Sequence, residues 1–224
     1  MGIKENIISI KERLPKDITL IAVSKTKPES DIMLAYQAGH RIFGENKAQE
    51  LKQKHELLPK DISWHFIGHL QENKIKYIID FVSMIHSIDS LKLLQQINKK
   101  ALGCNRVVDC LLEIKLSNEE SKFGMSKQQA YDLLADDSFT QMQNVRICGV
   151  MGIGSITDNP DKTRQEFRSL KDTFTDLKNR FFKDNDFFKE ISMGMSSDYE
   201  TAIQEGSTMI RLGNKIFGKR DYQI

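Results

Sequence analysis

Residues 18–39 read ITLIAVSKTKPESDIMLAYQAG, and they hold one complete repeat of the fold. Ile18–Ser24 is an apolar, β-rich run and reads as a buried strand. Pro28 opens a helix through Ala38, because proline is welcome in a first helical turn. Gly39 ends that helix, as glycine commonly does. The repeat is strand, loop, helix, and its loop carries Ser24-Lys25-Thr26-Lys27.

The same alternation runs outward from this stretch. An opening helix near Ile3–Leu14 precedes it. Further strands are expected at Arg41–Gly44, Ser63–Ile67, Phe81–His86, Val107–Ile114, Val145–Gly152, Phe188–Met193 and Thr208–Gly213. Helices are expected near Asn46–Leu57, Gln71–Ile79, Ser90–Ala101, Lys127–Ala135, Asp161–Phe181 and Ser197–Glu205. The longest starts just after Asn159–Pro160, a stop-and-start signal. With the first strand this makes eight strands, almost every one followed by a helix. Such alternation implies a parallel sheet covered by helices. Eight units in 224 residues suit a closed (β/α)8 barrel, with an open doubly wound sheet as the other possibility. Without a linker, low-complexity tract or repeated stretch of sequence, residues 1–224 are expected to form a single domain.

Composition narrows the partners. Hydrophobic residues at 39% and charged residues at 29% fit an ordinary globular chain. The 33 basic and 31 acidic side chains nearly cancel, leaving +2 and no electrostatic footprint for nucleic acid or an anionic membrane. Any phosphate must therefore be held by a local site. The three cysteines, Cys104, Cys110 and Cys148, are odd in number and lack CxxC spacing, which suits a reducing compartment. The N-terminal stretch is charged every few residues, without an apolar signal core, and no run is long enough to cross a bilayer. Gly2 lies in an MGxxx context, but Asn6 stands where myristoylation needs Ser or Thr. A cytoplasmic location is expected.

Functional groups of such barrels sit at the C-terminal ends of strands. Three segments there are candidates. Lys25 follows the first strand, where partial desolvation would lower its pKa and free the amine to attack an aldehyde; a plain surface lysine is the alternative. Lys27, beside Pro28, reads as a helix-start surface residue. Ile191–Asp198 ends the seventh strand and opens a helix, with Ser196 or Ser197 as N-cap and a glycine turn suited to an anion. Arg211 lies in an apolar strand with Gly213 after it, and serves either a rim salt bridge or a ligand. In a closed barrel the first and last strands are neighbours, so these loops converge on one face. A lysine amine beside a phosphate cradle describes a site for pyridoxal 5′-phosphate (PLP).

Two smaller signals are weaker. His65 and His69 have metal-like spacing but straddle a strand end, without a carboxylate or cysteine beside them. Gly149–Gly154 is glycine-rich in the wrong order for a dinucleotide fingerprint, and is expected to give the sixth loop room. The phenylalanines of 181–188 are expected to pack the long helix onto the barrel.

At these residues the chain resembles the YggS/PROSC family of pyridoxal phosphate homeostasis proteins. The likeness runs through Ala22–Pro28 (AVSKTKP), Phe43–Asn46 (FGEN), Trp64–Lys74 (WHFIGHLQENK), Glu120–Gly124 (ESKFG), Ser192–Ile203 (SMGMSSDYETAI) and Gly206–Arg220 (GSTMIRLGNKIFGKR). The resemblance implies an α/β fold: a single TIM-type barrel of the alanine racemase N-terminal type with an extra N-terminal helix. It implies PLP as cofactor, held as a Schiff base on Lys25. Ser192, Gly213 and Asn214 match phosphate positions, Arg211 matches the arginine facing the pyridine nitrogen, and Asn46 and His65 lie in motifs lining the same face. Asn214 stands where many relatives carry threonine, and Lys115 where many carry asparagine.

An arginine has donors only, so a ring nitrogen facing it must accept and stay unprotonated, a weak electron sink. Racemisation would also need a second acid–base group; alanine racemase takes a tyrosine from another domain, and the five tyrosines here lie elsewhere. The expected role is PLP binding and release in vitamin B6 homeostasis without robust catalysis, by a monomer, with PLP-dependent apoenzymes as recipients. A PLP-dependent amino-acid racemase is the alternative, and a barrel enzyme binding another phosphate a further one.

Overall fold

The pairing of the first strand with the last decides between a closed and an open sheet. In the computed structural model, which describes residues 2–116 and 123–218, Thr19–Val23 (β1) runs parallel to Met209–Leu212 (β8). Thr19 pairs with Met209, Leu20 with Ile210, Ile21 with Arg211 and Ala22 with Leu212. The sheet is therefore a closed barrel whose strands follow one another around the ring in chain order. Between those two lie Ile42–Glu45 (β2), Ser63–Phe66 (β3), Met84–Ile88 (β4), Val108–Glu113 (β5), Val145–Met151 (β6) and Glu190–Ser192 (β7). Glu120–Lys122, Lys219, Arg220 and Tyr222 fall outside the described residues.

The helices are Ile3–Arg13 (α1), Glu29–Gln37 (α2), Ala48–Leu57 (α3), Leu91–Gly103 (α4), Lys127–Ala135 (α5), Asp137–Thr140 (α6), Pro160–Phe181 (α7), Tyr199–Gln204 (α8) and Asn214–Phe217 (α9). Helix α1 is the expected addition before the barrel, and it is tied to the closing seam by Asn6, whose amide donates to the Ile216 carbonyl. Asn159 caps α7 by accepting the Asp161 and Lys162 N–H groups. Phe188 stacks on both Phe174 and Phe182, fastening the end of α7 to the barrel as expected. No helix among the described residues is long and apolar enough to cross a membrane.

Alternate residues of a strand point to opposite sheet faces, so each strand feeds two environments. Outward residues such as Leu20, Ala22, Phe43, Trp64, Ile85 and Leu112 join the helix faces in one large cluster. Inward residues Ile21, Met84, Leu111, Cys148, Met151 and Met209 form a separate apolar plug. Toward the C-terminal mouth the interior includes polar side chains that stay buried: His65, His86, Glu113, Ser192 and Arg211. Strand β6 changes parity between Cys148 and Met151, because the register with β5 shifts between Cys110 and Leu111. This bulge keeps Met151 inside the plug.

Several elements differ from the sequence reading. The segment expected as a helix over Gln71–Ile79 is a 3-10 helix, Glu72–Tyr77. Ile75 and Ile78 stand three apart and are both fully buried, and a three-residue turn superposes them. The strand expected at Phe81–His86 lies later, at Met84–Ile88. The short helices α6 and α9 lie outside the expected helices; Asp136 initiates α6 by accepting the Ser138 N–H.

Because the plug is closely packed, truncating it leaves a void. Leu111→Ala, at a fully buried position, is expected to lose about 2–5 kcal/mol of stability. Denaturant titration followed by circular dichroism checks this, and a loss under about 0.5 kcal/mol would argue against a plug packed like other protein cores.

Candidate functional site

Ring closure places a cavity of about 280 Å³ at the C-terminal mouth, lined by Val23 at the end of β1, Lys25 after it, Asn46 after β2 and Ile67 after β3. Ile153 lines it after β6, and Met195, Ser196 and Ser197 after β7; Arg211 on β8 and Gly213 and Asn214 beyond it complete the wall. Val23, Ile67, Ile153 and Met195 supply the apolar surface. The polar lining groups are an amine, a guanidinium, hydroxyls and amides, without a carboxylate. Such a wall suits an anion with a flat apolar body. Among the described residues, no tyrosine lines it.

Lys25 is half-buried at the end of β1. The next residue, Thr26, has φ 64°, a left-handed conformation rare for a β-branched side chain. Lys27 is not the free surface residue expected: its ammonium donates to the Phe217 carbonyl at 3.0 Å, joining the first loop to the last.

The loop after β7 departs from expectation in a useful way. Helix α8 starts at Tyr199 with Asp198 at its N-cap, rather than Ser196 or Ser197. The Asp198 carboxylate accepts the Met195 N–H at 2.6 Å, closing a turn that leaves both serines on the cavity wall. Gly194 makes the turn possible, with φ 94° and space so tight that an added Cβ would lie 2.6 Å from the Ala202 Cβ. Gly213 and Asn214 begin the short helix α9 beside them. First-turn N–H groups have no acceptor within their own helix.

Arg211 is buried, and neutral partners hold its guanidinium. It donates to the Ser192 hydroxyl at 2.6 Å and to the Gly152 carbonyl at 3.0 Å. The glycine-rich sixth segment thus contributes an acceptor as well as room. Ser192 in turn meets His86 Nδ1 at 3.0 Å, and His86 Nε2 meets His65 Nδ1 at 2.9 Å. Arginine only donates, so the serine oxygen accepts from it; the proton order along Ser192, His86 and His65 depends on the histidine tautomers. Burial lowers the His65 pKa to about 4 and that of His86 well below its ordinary value, so both rings are neutral at neutral pH. Burial also lowers the Arg211 pKa to about 10, opposed by Glu113 and Asp198, and it remains a cation.

Two expected site residues therefore stand behind the wall. Ser192, expected at the anion, is fully buried one level below the mouth, with its hydroxyl committed to Arg211 and His86. His65 is likewise buried on His86. The serines on the wall are Ser196 and Ser197. His69 parts from His65: it stacks on Phe123 and pairs with Asp89. Among the described residues, no group of three His, Cys, Asp or Glu side chains is arranged for a metal.

Lys25, Asn46, Arg211, Gly213 and Asn214 are brought together as expected. The Asn46 side-chain oxygen is buried without a hydrogen-bond partner, an acceptor that a ligand hydroxyl would satisfy. Gly68 lets its loop close over this residue, since an added Cβ would lie 2.5 Å from the Asn46 carbonyl oxygen. Sequence reasoning missed His86 and Glu113, although each is a polar residue inside an apolar strand, which is the available signal. Glu113 is buried with one oxygen unpartnered, and burial raises its pKa to about 7.

A closed parallel barrel with a lysine after its first strand, an anion-suited pair of loops after its last two, and an inward arginine on the eighth is the barrel of alanine racemase type. The family described as alanine racemase, N-terminal domain, matches residues 2–221. A pyridoxal phosphate homeostasis protein of Aquifex aeolicus is 38% identical over 204 residues, spanning 91% of this chain and 87% of its own. PipY of Synechococcus elongatus, solved without and with PLP bound, superposes with TM-scores of 0.91 and 0.89 at 34% identity, over 97% of this chain and 100% of its own. Alanine racemase of Clostridium difficile shares the fold alone, at 14% identity and a TM-score of 0.73, over 99% of this chain and 58% of its own. The chain belongs to the pyridoxal phosphate homeostasis protein family.

Glu113 gives this region a pH signature. Its folded pKa of about 7 exceeds its ordinary 4.5, so the folded state holds the proton more tightly than the unfolded one. Its contribution therefore declines as pH rises from about 4.5 to about 7. Glu113→Gln is expected to be close to neutral at pH 4 and to raise stability by about 3 kcal/mol at pH 8. Denaturant titrations at both pH values test this, and an equal effect at each would contradict it.

Proposed function

We propose that this chain binds PLP in the mouth cavity, with Lys25 as its covalent anchor, and serves intracellular PLP homeostasis. The observation that carries the reading is the convergence of Lys25, Arg211, Ser196, Ser197, Gly213 and Asn214 on one cavity. When bound, the cofactor supplies an aldehyde that an amine captures with loss of water, and a pyridine ring that withdraws electrons.

The chain's own groups divide the work. The hydroxyls of Ser196 and Ser197 and the Gly213–Asn214 backbone suit the phosphate; the Asn214 amide can donate where a threonine hydroxyl would otherwise serve. Arg211 presents donors and no acceptor, so it complements an unprotonated ring nitrogen. Ser192, His86 and His65 fix its orientation from behind, and their neutrality leaves Arg211 as the charge of that chain. Asn46 offers its unpartnered oxygen to a ring substituent. Val23, Ile67, Ile153 and Met195 exclude water from the ring faces.

Robust racemisation is not part of this reading. It needs a strong electron sink and two opposed acid–base groups, whereas Arg211 disfavours the first and the cavity wall lacks a tyrosine among the described residues. The protein acts as a cytoplasmic monomer that binds, protects and releases the cofactor, with PLP-dependent apoenzymes as recipients.

Borohydride reduction of the PLP-treated protein, followed by peptide mapping, is expected to recover the cofactor on Lys25. Lys25→Ala is expected to abolish the adduct while the fold persists. Recovery on another lysine, or measurable amino-acid racemisation by the wild type that Lys25→Ala removes, would contradict the proposal.

A further inference from the structure

Behind the Lys25 loop lies a buried ion cluster that the binding site itself does not use. Lys54 on α3 has a side chain only 4% exposed, Glu45 at the end of β2 is fully buried, and Glu50 is 21% exposed. The Lys54 ammonium makes three hydrogen bonds, which is all it can donate: to the Ser24 carbonyl at 2.8 Å and to Glu45 and Glu50 at 2.7 Å each. Glu45 also accepts from the Ser24 hydroxyl at 2.7 Å, and Glu50 accepts the Thr26 backbone N–H at 2.6 Å.

These contacts fall on the two residues flanking Lys25. Ser24 is held through its carbonyl and its hydroxyl, and Thr26 through its N–H, in the left-handed conformation that a threonine seldom adopts. The cluster is also continuous with Asn46, which follows Glu45 and lines the cavity. A buried ion cluster is expensive to desolvate, and apolar side chains of equal volume often stabilise a fold as well or better. A stability role therefore gives little reason for three charges here. Fixing a strained turn around one lysine gives a specific reason.

We propose that Lys54, acting through Glu45 and Glu50, is a positioning residue for Lys25. It holds the Ser24–Thr26 turn so that the intervening amine is presented to the cavity, and it does not touch the ligand. The inference rests on the assignment of Lys25 as the PLP anchor. It predicts that loss of the cluster slows covalent capture of an aldehyde while sparing recognition of the phosphate and ring.

The test uses the full chain and two ligands. PLP reports capture, through the rate at which the visible band of the Lys25-bound cofactor grows in stopped flow. Pyridoxine 5′-phosphate carries an alcohol in place of the aldehyde and reports recognition alone, through its Kd by calorimetry. Lys54→Met is expected to slow capture about tenfold or more and to change the analogue's Kd less than about threefold, roughly 0.6 kcal/mol. Since Lys54→Met strands two carboxylates, the Glu45→Gln/Lys54→Met double variant provides a second measurement with a smaller buried charge, and the same split is expected. Unchanged capture, or equal losses for both ligands in a folded variant, would overturn the proposal. Failure of the wild type to capture PLP at Lys25 would instead remove the reading on which it rests, and the inference with it.

Discussion

The parallel main-chain pairing of Thr19–Ala22 with Met209–Leu212 is the constraint on which the rest depends. It joins the two ends of the sheet and so makes neighbours of loops that an open sheet would hold apart. Lys25 leaves one side of this seam, and Gly213 and Asn214 leave the other. The Lys27 bond to the Phe217 carbonyl and the Asn6 bond to the Ile216 carbonyl brace the same seam from outside the sheet. Closure also encloses an interior, and the character of that interior changes along the axis. Its lower level is an apolar plug that supports the fold. Its next level is polar and buried, a choice that stability alone does not favour.

That polar level explains how the mouth works. A buried guanidinium needs acceptors, and Arg211 finds a serine hydroxyl and a backbone carbonyl in place of a carboxylate. Neutral partners leave its charge uncompensated at close range, available to a ligand above. The histidines behind Ser192 are held neutral by burial and so extend the hydrogen-bond chain without adding charge. Glu113 lies on the same level with an unpartnered oxygen and a pKa raised to about 7, placing a titratable group under the cavity.

Much of this was legible in the chain. Strand–helix alternation, Pro28 and Gly39 punctuating α2, and the Asn159 cap of α7 are local signals, and each appears where local physics puts it. The convergence of Lys25, Arg211, Gly213 and Asn214 on one rim was legible because strand ends meet once the ring closes, whereas Asn46 rested on the family resemblance. The inward level was harder to read. Ser192 and His65 stand one tier below the mouth, and their depth depends on register between strands, which a single segment does not encode. Lys54 was invisible for a related reason: on α3 it reads as one more helix-surface lysine, and its partners Ser24 and Glu45 come from β1 and β2. The expected serine caps gave way to Asp198, whose carboxylate turns back to the Met195 N–H instead of capping the helix, a closure that depends on the Gly194 turn.

The central question is which groups grip the ligand. A crystal structure of the protein grown with PLP measures this most directly. Continuous density is expected from the Lys25 side chain, with the phosphate at Ser196, Ser197, Gly213 and Asn214 and the ring nitrogen facing Arg211. Well-ordered cofactor bound elsewhere, with Lys25 pointing away from it and the mouth filled only by water, would contradict it.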